Sequence, residues 1–81
     1  MSVEVRYFAS LADLAGTSRE VVDTEPGDDV GRLWVRLTRC HPELAALSYR
    51  PAAACDLEYA SWDRVLDGVR EVAFLPPVSG G

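Results

Sequence analysis

Val69-Arg70-Glu71-Val72-Ala73-Phe74-Leu75-Pro76-Pro77-Val78-Ser79-Gly80-Gly81 closes the chain and decides how the rest is read. Val69 to Leu75 has the pattern of a strand, with Val72 and Phe74 on one face and Glu71, Ala73 and Leu75 on the other. Proline fixes φ and has no backbone donor, so Pro76-Pro77 ends sheet pairing and projects the last residues in an extended form. Gly80 and Gly81 lack a Cβ, so such a tail can thread a channel too narrow for ordinary residues. The terminal carboxylate is also left open to attack. A purely structural terminus gains nothing from this, because glycine is the costliest residue to order. The expected division is a folded domain over residues 1–75 and a tail over 76–81, with the α-carboxylate of Gly81 as the working group.

Outward from that strand, Val3 to Ala9 alternates: Val3, Val5 and Tyr7 point one way, Glu4, Arg6 and Phe8 the other. Ser10 to Ser18 reads as a loop with room for a helical turn. Arg19 to Thr24, with Val21 and Val22, is a second strand close enough to pair antiparallel with the first. Pro26-Gly27 signals a turn, and Asp28 or Asp29 then caps a helix by accepting from free first-turn amides. Val30, Leu33, Trp34 and Leu37 form one apolar stripe, which makes Trp34 a core residue. Arg32, Arg36 and Arg39 lie off it. His41-Pro42 ends the helix, with His41 solvated, and Glu43 to Leu47 forms a short further turn carrying Leu44 and Leu47. Pro51 to Leu57 is a third, alanine-rich strand, Trp62 to Leu66 a turn or short helix, and Asp67-Gly68 a turn before the final strand. A hairpin, a crossover helix and a returning strand predict an α+β fold, one helix packed on a mixed sheet.

Composition bounds the function. Eighty-one residues, 48% hydrophobic and 26% charged, make one small globular domain. No apolar run approaches a membrane span and the first residues resemble no export signal, so a cytoplasmic protein with no membrane contact is expected. A net charge of −5 argues against nucleic acid and for a protein partner. The two cysteines, Cys40 and Cys55, lack the spacing of a metal site or disulfide framework and read as small buried hydrophobes. All eight basic residues are arginine, the signature of a GC-rich genome; an activated C-terminus therefore meets no lysine on its own chain.

The chain has no Gly-rich phosphate loop, no His–carboxylate pair and no nucleophile motif, and Asp28/Asp29 and Glu43/Asp56 read as solvated carboxylates. It is expected to be a substrate or carrier, binding no cofactor itself. A carboxylate is a poor electrophile, so the tail needs adenylation with ATP in a partner enzyme. Sulfur attack on the acyl-adenylate would leave a thiocarboxylate, and lysine attack an isopeptide. If the first and last strands are neighbours, Phe8 and Leu75 meet on the solvent face as an apolar patch to which Tyr59 can add, an interaction site beside the tail.

Glu71-Val72-Ala73-Phe74 running into Pro76-Pro77-Val78-Ser79-Gly80-Gly81 closely resembles the small subunit of molybdopterin synthase, as do Val5-Arg6-Tyr7-Phe8-Ala9 for its first strand and Val30–Leu37 for its helix. The resemblance spans the chain and implies a ubiquitin-like β-grasp fold. It also implies a cycle in which an E1-like adenylyltransferase activates Gly81 and a sulfurtransferase system delivers sulfur. The tail Pro76, Pro77, Val78, Ser79, Gly80 then inserts into the large catalytic subunit, within a heterotetramer, and yields sulfur to cyclic pyranopterin monophosphate. Phe8, Leu75 and Tyr59 would pack on the partners, and Arg70 stands where the family often has a lysine. The chain departs from the family in having Cys55-Asp56 where a valine and an asparagine are usual, and Val69-Arg70 after Asp67-Gly68 where an acidic residue is usual. The alternatives are a sulfur carrier for thiamin, cysteine or tRNA thiolation, a protein modifier, and a plain interaction module.

Overall fold

The structure, a computed structural model, describes residues 1–77. One of its inner strands is the alternating first strand, β1 (Ser2–Tyr7), whose Val3, Val5 and Tyr7 are buried as their phase predicts. β2 (Arg19–Asp23) pairs antiparallel with β1 on one side, and β5 (Glu71–Leu75) pairs parallel with it on the other. β3 (Ala52–Cys55) runs antiparallel to β5 and carries β4 (Glu58–Ala60) at the edge, giving the order β2-β1-β5-β3-β4. A parallel β1–β5 pair needs a long crossover. That crossover contains the main helix, α2 (Val30–Cys40), which buries Val30, Leu33 and Leu37 against one face of the sheet.

Local chemistry sets the ends of α2. The Asp29 carboxylate accepts from the Arg32 N–H at 2.8 Å, satisfying a first-turn donor. His41 closes the helix with its N–H on the Leu37 carbonyl, and Pro42 opens a 3₁₀ turn (Pro42–Ala46) that buries Leu44. Trp34 packs against the core, 4.9 Å from the Phe74 ring, with Trp62 beside both. This is the helix-on-mixed-sheet arrangement expected from the sequence.

Several elements differ from the sequence reading. Ser10 to Ala15 is a helix, α1, because Leu11 and Ala15 fall one turn apart and both are buried; Gly16 at φ 76° stops it. The sheet has five strands, one more than the pattern predicts, because the short β4 exposes Glu58 and Tyr59 and shows no alternation. Of the turn or short helix expected over Trp62 to Leu66 the turn forms, and extended chain follows it, with Val65 bridging Asp29.

Four side chains also depart from expectation. Cys55 is buried and burial pushes its thiol pKa up, whereas Cys40 is exposed, because Leu37 is the last residue of α2 inside the core. His41 is not freely solvated: its Nε2 lies 2.6 Å from Glu20 Oε2, the same oxygen that accepts from the Tyr7 hydroxyl at 2.7 Å. Burial, reinforced by Glu20, drives the Tyr7 phenol far above its ordinary pKa. Asp28 is a buried carboxylate that accepts from the Glu25 N–H at 2.9 Å and from the Arg36 guanidinium at 3.1 Å. Asp56 accepts from the N–H groups of Arg70 and Glu71 at 3.0 and 2.9 Å. No helix among the described residues is long and apolar enough to cross a membrane.

Candidate functional site

The outer face of the sheet, opposite α2, carries the expected patch. Register builds it. Arg6 of β1 stands beside Ala73 of β5, Ala73 beside Ala54 of β3, and Ala54 beside Tyr59 of β4. Two alanines between longer side chains leave the middle of that row low. Phe8 and Leu75 wall the hollow at the end where β5 runs out, and Leu57 walls it at the β3–β4 turn. The resulting cavity measures about 220 Å³. Phe8 is 39% exposed, Tyr59 70% and Leu57 86%, so neither α1 nor the Trp62 segment covers them.

The rim is charged but internally matched. Arg6 lies over the Phe8 ring, 5.4 Å from its centroid, and its Nη1 is 3.7 Å from Glu71 Oε1. Arg6 is exposed and Glu71 half-buried, and at 3.7 Å this pair orients the guanidinium and adds little stability. The face is thus apolar in the middle with near-neutral edges, as a protein-docking surface is.

β5 delivers the chain to this face from a fixed point. Phe74 is fully buried between Trp34 and Trp62, and its carbonyl accepts from the Phe8 N–H at 3.1 Å. Leu75 comes next on the outer face, then half-buried Pro76 and exposed Pro77. Val78, Ser79, Gly80 and the candidate working residue Gly81 lie outside the described residues. Phe8, Tyr59 and Leu75 therefore come together as expected. Arg70 does not join them: it precedes β5 and lies five residues before Leu75, roughly 17 Å along the strand direction.

Leu57, Ala54 and Ala73 are members of the site that the sequence did not reveal. Their signal, had the turn been placed, was the two-residue spacing between Cys55 and Glu58, which fixes the β3–β4 register. A larger hollow of about 600 Å³ lies on the helix side, lined in part by Trp34, Leu47, Arg50 and Trp62, with Arg50 stacked 4.2 Å over the Trp62 ring. Its single charged lining residue offers no acid–base pair. Among the described residues no cluster of His, Cys, Asp or Glu suits a metal ion.

Known proteins resemble the chain over its full length. The sequence profile of the ThiS family matches residues 5–81. The molybdopterin synthase sulfur carrier subunit of Mycobacterium tuberculosis is 35% identical over 82 residues, covering 100% of this chain and 99% of that one. SAMP1 (small archaeal modifier protein 1) from Haloferax volcanii superimposes with a TM-score of 0.84 at 30% identity, covering all of both chains. A chain in the complex of subunits 1 and 2 of molybdopterin-converting factor from Helicobacter pylori shares the fold, with a TM-score of 0.65 at 24% identity over 100% of both. The element order, the sheet topology and the match over residues 5–81 together establish that this chain is a ubiquitin-like β-grasp protein belonging to the ThiS family.

Proposed function

We propose that this chain is the sulfur-carrying small subunit of a molybdopterin synthase. The observation that carries the reading is the placement of the apolar hollow beside the exit of β5, in a chain whose full-length relative from Mycobacterium tuberculosis is named a sulfur carrier subunit. The hollow is the docking face, and the tail from Pro76 to Gly81 is the arm that enters the partner.

The chemistry belongs to the partners. In an E1-like adenylyltransferase, a carboxylate oxygen of Gly81 attacks the α-phosphorus of ATP and pyrophosphate leaves. The outer sulfur of a persulfide on the sulfurtransferase then attacks the acyl carbon and AMP leaves; a thiol attacks the inner sulfur of the resulting acyl disulfide, forming a new disulfide with the donor and releasing the thiocarboxylate. In the large catalytic subunit the tail surrenders that sulfur to cyclic pyranopterin monophosphate and returns as a carboxylate. Two such deliveries complete a dithiolene. The carrier contributes position: Phe74 anchors the strand, Pro76-Pro77 directs the arm, and Phe8, Leu75 and Tyr59 seat the domain.

Reconstitution with an adenylyltransferase, ATP, a sulfur donor and the large subunit tests this. The full chain should support dithiolene formation and the chain lacking Gly81 should not, while both melt alike, because the core of the described residues is built between Val3 and Phe74. Transfer by the truncated chain refutes it. A second reading, a protein modifier, is favoured by the likeness to SAMP1 and predicts Gly81-linked adducts on lysines of other proteins in cell extracts.

A further inference from the structure

We infer that Leu57 is a docking residue for the large catalytic subunit, extending the contact from the tail exit to the far end of the hollow; this rests on the proposed sulfur-carrier function. The turn joining β3 to β4 has two central residues, Asp56 and Leu57, both at positive φ, 49° and 72°. Hairpin turns of this kind take Asn-Gly or Asp-Gly, because the second position is left-handed and glycine occupies it without steric cost. Asp56 suits its place. Leucine at φ 72° does not, since its Cβ crowds the following carbonyl oxygen.

Folding gives no return for that strain. The Leu57 side chain is 86% exposed and absent from the buried core. The turn is nevertheless held firmly. The Asp56 N–H donates to the Glu71 carbonyl at 2.9 Å, and the Asp56 carboxylate takes the Arg70 and Glu71 N–H groups. A clamped turn thus presents a strained, exposed leucine at the wall of an apolar cavity whose other end is Phe8 and Leu75. Strain kept without benefit to the fold points to a contact made elsewhere.

The hollow says what kind of contact. With Arg6 and Glu71 already facing each other, the cavity asks for an apolar side chain from the partner and no compensating charge. The turn lies alongside Glu71, four residues before Leu75, so the footprint runs roughly 13 Å from the tail exit. An extended, apolar, charge-neutral footprint suits the subunit with which the carrier forms a lasting complex, since long-lived interfaces are the larger and more apolar ones. It suits a brief encounter less well.

Leu57→Gly, Leu57→Asn and Leu57→Met, in the full thiocarboxylated chain, separate docking from structure. Glycine and asparagine tolerate the left-handed backbone, so these variants should melt at or above the parent temperature. With the large subunit, both should raise KM for the carrier by about tenfold or more and leave kcat unchanged, as loss of a uniform binding contact does. Leu57→Met keeps the apolar reach and should retain the parent KM. Unchanged KM in Leu57→Gly and Leu57→Asn, beside a parent that transfers sulfur normally, overturns the inference alone, as does a marked fall in their melting temperatures. A parent that transfers no sulfur overturns the functional reading and this inference with it.

Discussion

Phe74 and Phe8 are linked by a backbone hydrogen bond, yet they face opposite sides of the sheet, and truncating each to alanine should give opposite results. Phe74 is fully buried against Trp34 and Trp62. Phe74→Ala removes its transfer free energy and leaves a cavity, at a cost of about 3–5 kcal/mol. A domain of 81 residues holds about 4–12 kcal/mol in all, at ~0.05–0.15 kcal/mol per residue. The variant should therefore lose much of its stability, with a melting temperature lower by roughly 12–40 °C at about 4–8 °C per kcal/mol. Phe8 is 39% exposed and its nearest polar company is the solvated Arg6 guanidinium, so Phe8→Ala should change stability by only about 1 kcal/mol. Thermal melts followed by far-ultraviolet circular dichroism, with fluorescence of Trp34 and Trp62 as a second probe, give both numbers. In the reconstituted reaction Phe8→Ala should fold but dock poorly. Equal destabilisation by the two substitutions would refute the assignment of the outer face to docking.

Asp28 should make stability depend on acid. The Glu25 N–H, with help from Arg36, holds its carboxyl below the ordinary range against the opposing effect of burial. Its contribution is complete above the unfolded carboxylate pKa of about 4 and fades as pH falls through the lower native value. Parent and Asp28→Asn should differ in melting temperature at neutral pH and converge on acidification; a pH-independent difference would contradict this. Cys40 and Cys55 should separate in alkylation: under native conditions iodoacetamide should add once, at Cys40, and reach Cys55 only on unfolding. Peptide mapping that finds Cys55 modified first would show the β3 face to be less closed than its buried side chains imply.

Short-range periodicity encodes the part of the fold that was legible in the sequence. Val3, Val5 and Tyr7 declared a half-buried strand, Val30, Leu33, Trp34 and Leu37 a one-sided helix, and Asp28 or Asp29 with His41-Pro42 its ends. The sequence left open whether the first and last strands are neighbours; the parallel β1–β5 pair supplies that condition, and with it the meeting of Phe8 with Leu75. The losses arose where the deciding partner is distant along the chain. His41 found Glu20 from β2, and Asp56 found the amides of Arg70 and Glu71. Each looked like a solvated surface group on its own segment. β4 was missed because Glu58 and Tyr59 are both exposed and its turn uses Asp-Leu where a glycine signals the bend. The hollow escaped for the same reason, since it exists only once Ala54 stands beside Ala73.

The central claim is that Gly81 carries sulfur. Intact-mass measurement of the protein purified from its own cells, with and without an alkylating agent selective for thiocarboxylates, tests it most directly. The account predicts a species in which one oxygen of the Gly81 carboxylate is replaced by sulfur, and which the agent shifts quantitatively. An unreacted carboxylate on every molecule, from cells actively making molybdopterin and accompanied by Gly81-linked isopeptides on other proteins, would contradict it.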